Sequence, residues 1–143
     1  MGKTYQSIVI RATADRVWQA IRDFHDMSWA PSVITSIQPV GDIAGDQPGA
    51  GRILNGAFHE TLQKLDDAER YFEYRMVDGP SPVSKADVRQ YRGCVRVSPA
   101  TQDSGTLVEW SSCWQRNEKA AAEFCRAVYA ARLEDLKAQM EAH

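Results

Sequence analysis

At 143 residues the chain has the length of one domain, residues 1–143, with room for a real core, and its composition is ordinary globular. A net charge of -2, with no run of Lys or Arg interleaved with aromatics, excludes a basic nucleic-acid-binding surface. No apolar run approaches a membrane span, so stable membrane insertion is not expected, and MGKTYQSIVIRA has neither the apolar core nor the cleavage pattern of a signal peptide. The three cysteines, Cys94, Cys113 and Cys125, are odd in number and far apart, which points to reduced thiols in a cytoplasmic protein.

Residues 5–11 are β-rich. Thr13 suits a helix N-cap, with Asp15 in the first turn, and Val17, Trp18, Ile21 and Phe24 follow at helical spacing. A second short helical piece, residues 27–30, carries Trp29 and stops at Pro31. Residues 32–40 read as a strand and 41–51, rich in Gly, as a loop. Asn55-Gly56, between Ile53-Leu54 and Ala57-Phe58, is the strongest hairpin signal, because both central residues of such a turn need positive φ.

Period-two alternation then puts Phe58, Glu60 and Leu62 on one face, and Phe72, Tyr74 and Met76 on one face of residues 71–77. In residues 86–98, Tyr91, Gly93, Val95 and Val97 share a face; a turn over 99–105 leads to a last strand with Val108, Trp110, Ser112 and Trp114 together. Residues 117–140 form one long amphipathic helix. Ala121, Phe124, Cys125, Val128 and Ala131 make its apolar stripe, which Tyr129, Leu133, Leu136 and Met140 continue in a rotated direction while Arg132 and Asp135 take up the first line. Consecutive strands with hairpin-type turns make an antiparallel sheet, one face of which must take this helix.

The motifs AxxVWxxIRDFxxMxxWxP (from Ala14 to Pro31), GxGRIL, HETLQKLDD, FEYRMVDGP and the final TLVEWSS strand with its helix resemble the helix-grip superfamily. That superfamily takes in the START domains, the birch-pollen-allergen proteins, the plant abscisic-acid receptors and the bacterial polyketide cyclase/dehydrase and lipid-transport proteins. The resemblance implies an α+β fold: a curved antiparallel sheet of about seven strands around a long C-terminal helix, two short helices after the first strand, and a ligand cavity between sheet and helix. It places Glu60, Tyr91, Trp110, Phe124, Val128 and Arg132 toward that cavity, Trp110 standing where the receptors carry a Glu. The receptors' gate loop is replaced by Asn55-Gly56, which argues against hormone reception.

Alternation and resemblance together define an inward set: Phe58, Glu60, Leu62, Phe72, Tyr74, Met76, Tyr91, Val95, Trp110, Ser112, Phe124, Val128 and Arg132, with Trp29 at the mouth. A mostly apolar wall with a few polar groups suits a small hydrophobic or aromatic ligand. Arg132 could hold an anionic or carbonyl group; Glu60, with Tyr91 or His25, could move protons in a cyclase/dehydratase-type reaction. His25 and His59 lack a third ligand at metal spacing, and no nucleotide or catalytic signature is present, so neither metal nor cofactor is expected. Three readings follow: a ligand-binding protein, an enzyme on the same cavity, or a protein-interaction or homodimerisation module with a vestigial cavity.

Overall fold

The computed structural model describes residues 1–101 and 105–142. Nine elements follow one another: β1 (Gly2–Ile10), α1 (Ala14–Ile21), β2 (Ile37–Val40), β3 (Gly51–Leu54), β4 (Phe58–Asp66), β5 (Tyr71–Asp78), β6 (Arg89–Pro99), β7 (Thr106–Gln115) and α2 (Glu118–Glu141). The strands form one antiparallel seven-stranded sheet in the order β1-β7-β6-β5-β4-β3-β2. The expected turn before β7 lies partly outside the described residues, at 102–104.

Thr13 caps α1 as its residue type suggests: its Oγ1 accepts the Arg16 N–H at 3.2 Å. The second helical piece is instead a string of turns. Asp26 takes the Ser28 N–H at 2.9 Å, Ala30 donates to the Met27 carbonyl, and Pro31 has no N–H to carry a helix further. One short helix, not two, therefore follows β1.

The strand expected over residues 32–40 shrinks to Ile37–Val40 because Asn55 intercepts its donors. The Asn55 Oδ1 accepts the backbone N–H of Thr35 at 2.7 Å and of Ser36 at 3.3 Å, while its Nδ2 donates to the Val33 carbonyl at 2.9 Å.

The β3–β4 connection contains the positive φ angles expected of Asn55 (55°) and Gly56 (65°), but Ala57 belongs to it as well, and Leu54 pairs with Phe58. That extra residue decides which side chains of β3 point inward. Had Leu54 faced Ala57, Arg52 would stand opposite His59; with the longer turn it stands opposite Glu60. Arg52 and Leu54 are accordingly buried, 3% and 0% exposed. Register shifts in β4, at His59/Glu60 and at Leu62/Lys64, and in β6, between Arg89 and Arg92, bend the sheet.

The helix α2 lies on the concave face and buries Ala121, Cys125, Tyr129, Leu133 and Leu136. Its contact line is thus the rotated one, and Phe124, Val128 and Ala131 are left half-buried at the helix's flank. Beneath it, Trp110 stacks on Tyr129 at 4.8 Å and Tyr91 on Trp114 at 5.5 Å. Tyr74 fits because its cross-strand partner is Gly93: a Cβ there would stand 2.3 Å from the Tyr74 ring. Replacing Gly93 by Ala must therefore push the ring out of place. Gly93→Ala should destabilise by about 1–3 kcal/mol in urea unfolding, the range for an overpacked core; an unchanged midpoint would show that the ring has room to move.

Candidate functional site

The interior of the sheet carries charge. Arg52 from β3, Glu60 from β4 and Arg132 from α2 are 3%, 2% and 1% exposed. The Arg52 Nε donates to the Glu60 Oε1 at 2.8 Å, and its Nη2 lies 2.7 Å from the same oxygen. Its Nη1 donates to the Phe24 carbonyl at 3.1 Å, and the guanidinium sits 3.7 Å from the centre of the Phe24 ring. Arg132 is less well served. Its Nη1 is 3.8 Å from the Glu60 Oε2, too long for a hydrogen bond, and neither Nη1 nor Nη2 has a hydrogen-bond partner among the described residues. Besides the Glu60 charge, the faces of Phe58, Trp110 and Tyr129, 5.2–5.6 Å from its guanidinium carbon, soften its burial.

Two guanidinium groups therefore share one carboxylate. Burial pushes the Arg52 guanidinium down from its ordinary value against the pull of Glu60, and the neighbouring Arg132 charge adds to that effect. Burial also opposes the Arg132 charge, but Glu60 together with Tyr74, Tyr129 and Tyr91 outweighs it and raises the guanidinium above its ordinary value. An arginine stays protonated in either case.

Beside the charges lies a phenol cluster. Tyr74 donates to the Tyr129 hydroxyl at 2.9 Å and receives the Trp110 indole N–H at 3.1 Å; Tyr91 bonds to the Tyr129 hydroxyl and to the Cys125 thiol. Burial first, then neighbouring ionisable groups, holds all three phenols well above their ordinary value near 10.

The space between sheet and helix opens to the surface beside this interior. A cleft of about 310 Å³ runs between the 33–34 segment, the β3–β4 turn and the flank of α2. Val33, Ile34, Phe58, Val128 and Ala131 give it hydrocarbon walls, and Arg132 is its one charged lining residue. Asp135, one turn along from Arg132, accepts the Ser32 backbone N–H at 2.8 Å and pins the segment to the helix. A larger hollow of about 420 Å³ lies by the β6 irregularity, between Gln90, Arg92 and Trp114. Its arginines, Arg75 and Arg92, are exposed, so water satisfies them, and the buried charge lies elsewhere.

Of the residues expected to face a cavity, Phe58, Val128 and Arg132 line the cleft, and Phe124 stacks on Phe58 with ring centres 6.3 Å apart. Glu60 and Trp110 touch Arg132 from within. Tyr74 and Tyr91 are in the phenol cluster, and Ser112 bonds Thr4 across β1 and β7 at 2.7 Å. Trp29 packs on Trp110 at 6.3 Å and donates to the Asp26 carbonyl. Leu62 and Phe72 are core residues, Phe72 lying 6.2 Å from Trp18 of α1, and Met76 packs near Gly79. His25 bonds the Gly51 carbonyl at 2.9 Å. Arg52 and Tyr129 were not anticipated as site residues; Val33, Ile34 and Asn55 were not either. Arg52 is recoverable from cross-strand pairing once the turn length is known. The rotation of the helix's apolar line at Tyr129 was a visible signal for the other.

Among the described residues no His, Cys, Asp and Glu side chains gather as a metal-binding group, and no helix is long and apolar enough to cross a membrane.

A curved seven-stranded sheet closed over a long C-terminal helix defines a helix-grip domain. Residues 1–141 match the family model described as polyketide cyclase / dehydrase and lipid transport. The chain belongs to that family. It is similar to a solved protein of Nitrosospira multiformis, with 45% identity and a TM-score of 0.93 over 96% of this chain and 95% of the other. It also resembles the protein XoxI of Bacillus cereus, 26% identical with a TM-score of 0.81 over 98% and 96% of the two chains. A Thermobifida fusca protein is 25% identical, with a TM-score of 0.81 over 96% and 91%. No curated protein matches the chain.

Two expectations follow from the site. Removing the shared carboxylate leaves two buried cations facing each other, so Glu60→Gln should cost about 3–5 kcal/mol in chemical unfolding. Arg132→Met leaves a neutral Arg52–Glu60 pair and should cost far less; equal losses would show that the charges do not act as a set. The phenols have folded-state values above the unfolded one, so their contribution to stability is complete below pH about 10 and is lost as pH rises beyond it. Tyrosinate absorbance from Tyr74, Tyr91 and Tyr129 should appear only together with alkaline unfolding, and earlier ionisation would mean that water reaches the cluster.

Proposed function

We propose that the protein binds a small, mainly hydrophobic ligand, lipid, polyketide-like or aromatic, in the cleft between α2 and the 33–34 segment. The observation that carries this reading is the conjunction of hydrocarbon walls with one buried charged side chain, Arg132, at their edge. Such a site takes most of a ligand's area through apolar contact and orients it through one polar interaction. Membership of a family whose description includes lipid transport supports it.

The cyclase reading draws less support from the geometry. The groups named for proton transfer are engaged with different partners: Glu60 with Arg52, Tyr91 with Tyr129 and Cys125, His25 with the Gly51 carbonyl. None of the three lines the cleft.

Native mass spectrometry of the purified protein, followed by denaturing extraction, tests the reading. A stoichiometric apolar or aromatic compound is expected, and Ala131→Trp, which fills the cleft from the half-buried flank of α2, should weaken its binding at least tenfold while the unfolding midpoint holds. Undiminished binding in Ala131→Trp would move the ligand elsewhere. An empty wild-type protein that also shows no thermal shift with lipids or aromatics would end the proposal.

A further inference from the structure

Four charged side chains are buried, Arg52, Glu60, Arg132 and Asp135, and they do not all pair. Glu60 gives its Oε1 to Arg52 at 2.7–2.8 Å, and its other oxygen stays 3.8 Å from Arg132. Asp135 is occupied by the Ser32 N–H and forms no ion pair with Arg132 among the described residues. Arg132 is 1% exposed, yet both its Nη atoms lack acceptors. Buried guanidinium N–H groups without hydrogen-bond acceptors are costly in a protein interior. Its placement on the cleft lining gives it a use: the missing acceptors can arrive with a ligand.

From this we infer that the cleft takes a hydrophobic monoanion, a compact apolar body ending in one carboxylate or equivalent anionic group that accepts from the two Nη atoms of Arg132. The inference rests on the ligand-binding reading above and adds the ligand's charge. One negative charge supplies the close pairing that Arg132 lacks beside the Arg52–Glu60 pair; Asp135, the remaining buried carboxylate, is held by the Ser32 N–H instead. Two N–H donors on one guanidinium match the two oxygens of a carboxylate. The aromatic rings around Arg132 attract its charge but supply no acceptor for its N–H groups. Asn55, also on the cleft lining, has its carboxamide committed to Val33, Thr35 and Ser36, so Arg132 is the group that reads the ligand's polar end.

Titration calorimetry with 2-naphthoate and its neutral counterpart 2-naphthamide tests this on the intact protein, since the pair differs only at the anionic group. Naphthoate should bind about tenfold or more tightly than naphthamide. In Arg132→Met the preference for naphthoate over naphthamide should vanish. Equal affinities for the two probes in the wild-type protein would overturn the monoanion and leave the ligand-binding reading standing. Binding of neither probe would count against both. Acetate raising the unfolding midpoint as much as naphthoate at equal concentration would assign the site to a small anion alone and overturn the hydrophobic part.

Discussion

Glu60 is the pivot of the interior. Its carboxylate stands between two guanidinium groups that come from opposite layers, Arg52 from the sheet and Arg132 from the helix that the sheet encloses. Apolar packing could hold helix and sheet together in many relative positions, because it is non-directional. A buried carboxylate shared by two cations cannot be displaced without leaving one of them unpaired, so it penalises alternative placements of the helix. The aromatic residues answer to the same constraint. Phe24 lies against the Arg52 guanidinium, while Phe58, Trp110 and Tyr129 surround that of Arg132, so the rings serve as lining for charge as well as filling.

The division of the interior follows. At the α1 end, Trp18, Phe24 and Phe72 pack ring against ring. In the middle, the hydroxyls of Tyr74, Tyr91 and Tyr129 satisfy one another and the Trp110 indole, which lets polar atoms remain buried at little cost. Toward the 33–34 segment, at Arg132, this mutual satisfaction stops, and the cleft begins there.

Much of the fold was legible because its signals are local. Thr13 announced α1, the alternation in β5 and β7 announced their inward faces, and the length of α2 was visible within a residue at each end. Two misreadings share a cause. The second helical piece and the long early strand each had suitable side chains, but backbone donors were captured by side chains, Asp26 in one case and Asn55 in the other. The site was legible in part. Arg132 and Glu60 stood out as polar groups on apolar lines, whereas Arg52 depends on whether a turn holds two residues or three, and that count is not written in the Asn-Gly pair alone. The helix stripe divides: Ala121 and Cys125 join Tyr129 on the buried line, while Phe124 and Val128 stay half-buried beside the cleft.

The outer wall of the cleft has an unusual anchorage. Residues 32–36 precede β2 and take no part in the sheet ladder; the Asn55 carboxamide grips them from the hairpin and the Asp135 carboxylate from the helix. The wall is therefore a separate part from the scaffold. Val33 and Ile34 can be exchanged for larger, smaller or more polar residues without a slip in strand register, as long as the two side-chain grips survive. Selectivity for the shape of a ligand can then change along a short stretch of chain while the charge arrangement behind it, and the grip of sheet on helix, stay as they are.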